Sequence, residues 1–164
     1  MKGALRVMLD TNIYGFIALE IDPAEILERI AASDTMVCGS TVIRAELRDT
    51  PKKKTVGRKK LRLRLLSSYD LLVSDKRNYD VNEIIRKIAE EYFEQYKGGY
   101  SRKELENDFL IVATASLHNL DLVVSGDEIT MKSPEAVKAY EKINEKYQLR
   151  NPAFITFIEF KRLL

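Results

Sequence analysis

An α/β fold with a mainly parallel sheet is the architecture that this sequence predicts, on three observations. Short apolar runs of strand length alternate with longer stretches of helical periodicity. The clearest of these stretches is 81–96, where Ile85, Ile88 and Tyr92 recur at helical spacing. No repeat, low-complexity tract or Pro/Gly-rich linker interrupts the 164 residues, so we expect one domain over residues 1–164.

Five apolar runs are the candidate strands of this sheet. The first is closed by Asp10, and the fourth is followed by Ser125, Gly126 and Asp127. The five runs are Leu5–Leu9, 36–39, 71–73, Leu122–Val124 and Ala153–Ile155.

Side chains suited to helix capping mark where the helices begin. Ser101 and Thr156 each precede a glutamate by three residues, which is the capping-box spacing. Asp22 and Ser133 each stand before a proline, the residue favoured in the first turn. Ser40 is expected to open a helix that carries Glu46.

Composition excludes several classes of protein. A hydrophobic content of 45% can supply a core, yet no stretch approaches the roughly 18–20 apolar residues that span a membrane. Cys38 is the single cysteine and lies in an apolar run, so we interpret it as buried. A disulfide within the chain and a cysteine-based zinc site are excluded, and we expect a cytoplasmic protein.

Positive charge is concentrated in the basic segment, residues 52–64. It contains eight Lys or Arg residues and no acid, whereas the rest of the chain is net acidic. This asymmetry predicts contact with a polyanion, with Lys59, Lys60 and Arg62 as candidate phosphate ligands. A solvated helix face or a mobile loop would explain the same pattern.

Three acids converge if the sheet is parallel. Asp10 and Asp127 follow strands and therefore lie at the carboxyl edge, where open α/β sheets bind ligands. Asp108 is near the beginning of the helix that feeds the fourth strand, and that end lies at the same edge. Glu46 is about six residues beyond its cap, roughly 9 Å along a helix, and joins them only if the helix is tilted suitably.

Clustered carboxylates raise one another's pKa values, and a divalent cation removes that penalty. Hard oxygen ligands suit Mg²⁺ or Mn²⁺, and such an ion activates water for attack on a phosphodiester. The four acids Asp10, Glu46, Asp108 and Asp127 are therefore candidate metal ligands and catalytic residues. Taken singly, each has an ordinary alternative as a cap, a first-turn acid, a surface residue or a turn residue.

The joint pattern resembles the PIN-domain family. Asp10-Thr11-Asn12 is similar to the family's opening motif, and the segment from Ser40 to Glu46 to its second. Asn107-Asp108 resembles the third motif, and Ser125-Gly126-Asp127 the fourth. The segment 155–160 also looks like the family's ending.

The resemblance implies an α/β/α sandwich of three layers, whose parallel five-stranded sheet has the order 3-2-1-4-5. It also implies an endoribonuclease that uses Mg²⁺ or Mn²⁺, with Thr11, Asn12 and Ser125 as supporting polar groups. Many stand-alone relatives are VapC-like toxins, which form homodimers and are inhibited by an antitoxin. An RNA-processing nuclease without an antitoxin, or an inactive RNA-binding module, would share these motifs.

Competing enzyme classes lack residues that they need. A phosphoaspartate hydrolase of the haloacid dehalogenase kind requires a second Asp two residues after Asp10, where this chain has Asn12. Paired acids after the first strand and a phosphoacceptor after the third, as in a response-regulator receiver, are not evident. His118 is the only histidine and lies far in sequence from any suitable nucleophile, so we interpret it as structural.

Overall fold

The computed structural model describes residues 3–164 and contains a five-stranded sheet in which every neighbouring pair is parallel. Its strands are β1 (Leu5–Leu9), β2 (Thr35–Ser40), β5 (Asn78–Tyr79), β6 (Leu122–Val124) and β7 (Ala153–Ile155). A separate antiparallel hairpin consists of β3 (Thr55–Val56) and β4 (Lys59–Lys60). The sheet order β5-β2-β1-β6-β7 confirms the predicted 3-2-1-4-5 arrangement.

Within residues 3–164, eight α-helices connect and cover the strands. The first four are α1 (Thr11–Ala18), α2 (Pro23–Ala32), α3 (Thr41–Arg48) and α4 (Leu61–Leu72). The others are α5 (Glu83–Gln95), α6 (Arg102–Leu117), α7 (Pro134–Lys146) and α8 (Phe157–Leu163). The predicted capping boxes at Ser101 and Thr156 are both formed, and the side chains of Asp22, Ser40 and Ser133 cap α2, α3 and α7.

The helices form two layers, one on each face of the sheet, and this confirms the predicted sandwich. Helices α1, α2 and α4 pack against one another on one face, and α5 packs against both α6 and α7 on the other. Strand residues alternate between the two layers. Tyr69 of α4 lies close to Gly39 on the first face, whereas Arg6 reaches His118, at the end of α6, on the second.

The central strands are buried on both faces. Val7, Met8 and Leu9 of β1 are fully buried, as are Val123 and Val124 of β6. Such continuous apolar strands are what a parallel sheet covered by helices requires. The carboxyl ends of β1 and β6 lie side by side, since Leu9 pairs with Val124, and this register brings the residues after the two strands together.

The prediction of a strand at 71–73 is wrong. Leu71 and Leu72 are the last residues of α4, in which Leu65, Tyr69 and Leu72 recur at helical spacing and are buried. The third strand of the sheet is instead Asn78–Tyr79. Two paired residues are too short to produce an alternating pattern that sequence analysis could detect.

The basic segment has regular structure. It contains the hairpin β3–β4, whose turn includes Gly57 at a φ of +60°, and it continues into the first turn of α4. Glycine is suited to this turn because other residues rarely adopt a positive φ.

Among the helices of residues 3–164, none is long and apolar enough to cross a membrane.

Candidate metal-binding acidic site

The carboxyl edge of the sheet carries the acids that the sequence singled out. Asp10 directly follows β1 and is the N-cap of α1. Its backbone amide donates to Val124 of β6, so the ends of the two central strands are bound to each other at this point. We define the acidic site as Asp10, Glu46, Asp108 and Asp127, together with the polar side chains that contact them.

Asp10 is the most enclosed of the four acids, with only 5% of the residue exposed. One carboxylate oxygen accepts from the Thr11 amide at 2.8 Å, and the other accepts from the Ser125 hydroxyl at 2.7 Å. Burial raises the pKa of Asp10, and these two hydrogen bonds oppose that rise. A buried carboxyl group of this kind retains its charge only with such donors or with a cation.

The other predicted supporting residue, Asn12, connects the ends of β1 and β6. Its side-chain oxygen accepts from the Gly126 amide at 3.1 Å, and its amide nitrogen lies 3.4 Å from Asp10 Oδ2. Thr11, Asn12 and Ser125 therefore all lie in contact with the acids, although the three approach them in different ways.

Glu46 reaches the site through Thr11, whose hydroxyl donates to Glu46 Oε1 at 2.9 Å. This contact explains how a residue in the second turn of α3 comes close to the end of β1. Burial raises the pKa of Glu46 and the negative charge of Asp10 adds to the rise, whereas hydrogen bonds from Thr11 and Asn107 oppose it. The charge effect indicates that Asp10 and Glu46 are close enough to repel each other.

Asp108 and Asp127 share a hydroxyl group. Thr130 Oγ1 lies 2.5 Å from Asp108 Oδ2 and also contacts Asp127 Oδ2. Because a hydroxyl carries one hydrogen, it can donate to only one of the two carboxylates. The other contact requires a proton on a carboxyl group, and Asp108 is the group placed to hold it.

The electrostatics of the pair agree with this assignment. Burial raises the pKa of Asp108 to about 7, a hydrogen bond from Thr130 opposes the rise, and the charges of Asp10, Asp127 and Glu46 add to it. Burial acts to raise the pKa of Asp127 as well, but hydrogen bonds from Thr130 and from the Ile129 and Thr130 amides outweigh it and lower that pKa.

Asp127 differs from the other acids in how its oxygens are used. Its Oδ1 accepts from the amides of Ile129 and Thr130 at 2.9 and 2.8 Å, which closes the turn after β6. This carboxylate thus has a clear structural role in the turn, and only Oδ2 faces Asp108 through Thr130.

As they stand, no three His, Cys, Asp or Glu side chains within residues 3–164 are arranged to hold one metal ion together. The chemistry of the donors nonetheless fits a hard divalent cation, because every group is a carboxylate, hydroxyl or amide oxygen. The hydroxyl of Thr130 lies between two of the carboxylates, so an ion bound there would replace its contact with Asp108.

Two residues of this region, Thr130 and Lys132, are not among those that the sequence predicts for the site. Thr130 is three residues after Asp127, a spacing that indicates a turn but not the contact with Asp108. Lys132 has a side chain only 7% exposed, donates to the Ser125 carbonyl at 2.6 Å and pairs with Glu128. Its charge also lowers the pKa of Asp10, an effect that only the folded structure reveals.

The predicted phosphate ligands lie on the hairpin and the start of α4. Lys59 and Lys60 are exposed and Arg62 is half-buried, and Arg62 is 3.5 Å from the carbonyl of Arg48, the last residue of α3. They are thus near the far end of the helix that carries Glu46, and none of them contacts an acid of the site.

The remaining two predictions concern Cys38 and His118. Cys38 is buried and has no disulfide, as expected. His118 is the C-cap of α6, and its ring stacks on Tyr79 with centroids 3.7 Å apart. It is ten residues from Asp108 along α6, roughly 15 Å, so a structural interpretation is consistent with its place.

Comparison with known proteins gives a family and a fold. The model of the PIN domain matches residues 7–134, which is most of the chain. No curated protein matches the sequence significantly.

Among solved structures, FitAcB from Neisseria gonorrhoeae is 21% identical, with a TM-score of 0.59 over 91% of this chain and 96% of that chain. The structure of FitAB bound to an IR36 DNA fragment is 17% identical, with a TM-score of 0.52 over 92% and 94% of the two chains. A weaker likeness, with a TM-score of 0.47 and 20% identity, is to VapBC2 from Rickettsia felis bound to a DNA fragment from its promoter, over 93% and 99% of the chains. The two likenesses with TM-scores above 0.5 support the fold, and the match over residues 7–134 shows that the chain belongs to the PIN-domain family.

Proposed function

We propose that this chain is a divalent-metal-dependent endoribonuclease, and that it is the toxin of a toxin–antitoxin pair. The observation that carries the nuclease proposal is the acidic site itself. Four acids come together at the carboxyl edge of the sheet, and the pKa values of Asp10, Glu46 and Asp108 are all raised. A site that keeps carboxyl groups buried without a paired cation is suited to binding one.

In this proposal Asp10, Glu46 and Asp108 provide the principal oxygens for Mg²⁺ or Mn²⁺. Asp127 contributes less directly, since its Oδ1 already closes the turn after β6. When bound, the ion would lower the pKa of a water molecule and orient the phosphodiester for in-line attack.

The surrounding polar residues hold the acids in place. Ser125 fixes one oxygen of Asp10, Thr11 fixes Glu46, and Asn12 joins the two strand ends. A metal site depends on such contacts, because they set the orientation of the ligands before the ion binds. Thr130 and Lys132 have the same kind of role in the loop after β6.

RNA is the proposed substrate because the four motifs resemble those of endoribonucleases, and the basic segment can bind its phosphates without reading sequence. An antitoxin and a second copy of the chain are the proposed protein partners. The basis for them is the resemblance of the four motifs to those of VapC-like toxins, within a family that the chain is shown to share.

The experiment is cleavage of single-stranded RNA by the full chain, with Mg²⁺, Mn²⁺ or EDTA. We expect cleavage that requires the ion and that Asp10→Asn abolishes, while Asp34→Asn, at an exposed aspartate remote from the acidic site, retains it. The same variants are compared for thermal stabilisation by Mn²⁺, which an intact site confers and Asp10→Asn removes.

The outcomes separate the candidate functions. RNA binding without cleavage or stabilisation by metal would identify an inactive RNA-binding module. Cleavage that continues in EDTA, or equally in Asp10→Asn, would refute the assigned site. Growth arrest on expression, relieved by the product of an adjacent small gene, distinguishes a toxin from an RNA-processing nuclease.

A further inference from the structure

A second concave site lies between α5 and α6, on a different side of α6 from Asp108. It is a cavity of about 220 Å³, lined by Phe93 and Glu90 of α5 and by Arg102, Glu106 and Phe109 of α6. None of these residues contacts an acid of the acidic site. We define the base pocket as this cavity.

Arg102 lies at the wall of the base pocket, over the ring of Phe93. Its guanidinium carbon lies 4.4 Å from the centroid of the Phe93 ring, and it forms an ion pair with Glu90. The side chain is still 53% exposed. A guanidinium group supported on one face by an aromatic ring leaves its other face free to stack on a planar ligand, as in proteins that bind unpaired bases.

Glu106 supplies an acceptor beside this planar face. Its side chain forms no ion pair within residues 3–164, and it lies one helical turn after Arg102 on the same face of α6. Both oxygens of a carboxylate can accept at once. Among the four bases, guanine offers two adjacent N–H groups on its Watson–Crick edge, and these match a carboxylate.

The base pocket borders on a second cavity, and that cavity includes Glu46 of the acidic site. This second cavity, of about 460 Å³, is lined by Glu46 and Asn107, and it shares Arg86 and Leu110 with the base pocket. Arg86 is exposed and forms no ion pair in the described part of the chain. It is therefore available to a phosphate located between the two cavities.

Arg102 and Asp108 are six residues apart, roughly 9 Å along the axis of α6. Successive residues turn by about 100° around a helix, so Glu106 and Asp108 face different sides of α6. A ligand in the base pocket would therefore reach the acidic site along the second cavity, past Arg86 and Asn107.

We propose that the base pocket binds an unpaired guanine of the substrate RNA, stacked on Arg102 and hydrogen-bonded to Glu106, with the adjoining phosphate at Arg86. This inference rests on the proposed nuclease function for its biological meaning. The pocket then selects where the RNA is cut, whereas the acidic site carries out the cut.

The test is titration of the full chain with 5′-GMP, AMP, CMP and UMP in EDTA, followed by NMR chemical-shift changes in α6. We expect GMP to bind most tightly. Glu106→Gln should weaken GMP binding about tenfold, the effect of losing one good two-point contact, and should remove the preference for guanine. Arg102→Gln should weaken all four nucleotides. Glu141→Gln, at an exposed glutamate on α7 outside the base pocket, is the matched control and should bind as the parent does.

Mapping of the cut sites in a random single-stranded RNA with Mn²⁺ completes the experiment. Guanine at a fixed position beside the cut, lost in Glu106→Gln and kept in Glu141→Gln, supports the proposal. Equal binding of the four nucleotides, or unchanged preference in Glu106→Gln, overturns it even if Asp10→Asn shows that the nuclease assignment is right. GMP binding that depends on Glu106 in a chain that cuts no RNA would overturn the nuclease function and leave a guanine-binding site.

Discussion

The two ends of the parallel sheet hold charged residues in opposite ways. At the amino end, Asp121 accepts from the Arg6 amide at 2.7 Å and pairs with Arg150 at 2.8 Å. At the carboxyl end, no ion pair within residues 3–164 includes Asp10, Glu46, Asp108 or Asp127. Charges paired in this way stabilise a fold, whereas like charges left together indicate a site built for a ligand.

The polar contacts at the amino end form a closed set. Arg6 donates to the His118 carbonyl and to the Tyr79 hydroxyl, and the Tyr79 ring stacks on His118. These groups join β1, β5 and the end of α6. The comparison therefore suggests that an Asp-to-Asn change has a structural effect at one end of the sheet and a chemical effect at the other.

The largest effect expected from this comparison is on catalysis. Asp108→Asn should lower RNA cleavage on the order of 10²- to 10³-fold, since it removes several kcal/mol of charge stabilisation by the metal. Asp121→Asn, the same change at the opposite end of the sheet, should stay within about twofold of the parent. The measurement is single-turnover cleavage with Mn²⁺, and a comparable loss in both variants would contradict the comparison.

The free energy of unfolding should depend on pH because the carboxyl groups of the acidic site have raised pKa values. The folded pKa of Asp108, about 7, lies above its ordinary value of 3.8, so the native state holds a proton that the unfolded chain loses. The free energy of unfolding should therefore fall as pH rises from about 4 to about 7, on the order of 2–4 kcal/mol. The raised pKa values of Asp10 and Glu46 act in the same direction.

Urea denaturation in EDTA at pH 5, 6, 7 and 8 measures this dependence. Asp108→Asn should remove much of the slope and be more stable than the parent at pH 8, although it is inactive. Addition of Mn²⁺ at pH 8 should stabilise the parent and not the variant. A parent protein whose stability rises between pH 5 and 7 would contradict the assigned charge cluster.

Sequence analysis located the acids because topology determines where they lie. Asp10 and Asp127 follow strands, Asp108 lies in the second turn of a crossover helix, and the carboxyl ends of the strands and the beginning of that helix lie at the same edge of the sheet. Glu46 could not be placed in this way, because its approach depends on the tilt of α3 and on the hydroxyl of Thr11. The hydrogen bond between Thr11 and Glu46 joins residues 35 positions apart, so no short sequence motif predicts it.

What the sequence did not predict depends on long-range packing. Thr130 and Asp108 are 22 residues apart, and the burial of Lys132 follows from how the loop after β6 folds over Ser125. The third strand was placed at 71–73 because the apolar end of a helix resembles a short buried strand. The real strand, Asn78–Tyr79, is recognised only by its pairing with β2.

The basic segment can be compared with the two ends of the sheet as a third charged region. Replacing its charges should have an effect of intermediate size, and this effect should be on RNA binding. Replacement of Lys59, Lys60 and Arg62 by Gln should reduce the salt dependence of RNA binding, by about 2 in the slope of log K against log salt if all three contact phosphates. Binding is measured on the Asp10→Asn background so that the RNA stays intact. The triple replacement of Lys97, Lys138 and Lys142, three exposed lysines elsewhere, should leave the slope near that of the parent, and an equal reduction by both sets would indicate nonspecific charge.

The smallest expected effect belongs to His118 and has the opposite sign to that of the acidic site. Burial lowers the pKa of His118, and the nearby charge of Arg6 lowers it further. The unfolded chain therefore binds a proton that the native state does not, and stability rises as pH rises towards the ordinary histidine value of 6.5. This gain in stability partly offsets the loss caused by Asp108 in the same pH interval.

His118→Asn should thus steepen the fall in the free energy of unfolding between pH 6 and 7, in the same denaturation series. The double variant with Asp108→Asn should retain only the smaller fall that the raised pKa values of Asp10 and Glu46 cause, and a fall as steep as that of the parent would contradict the role assigned to Asp108.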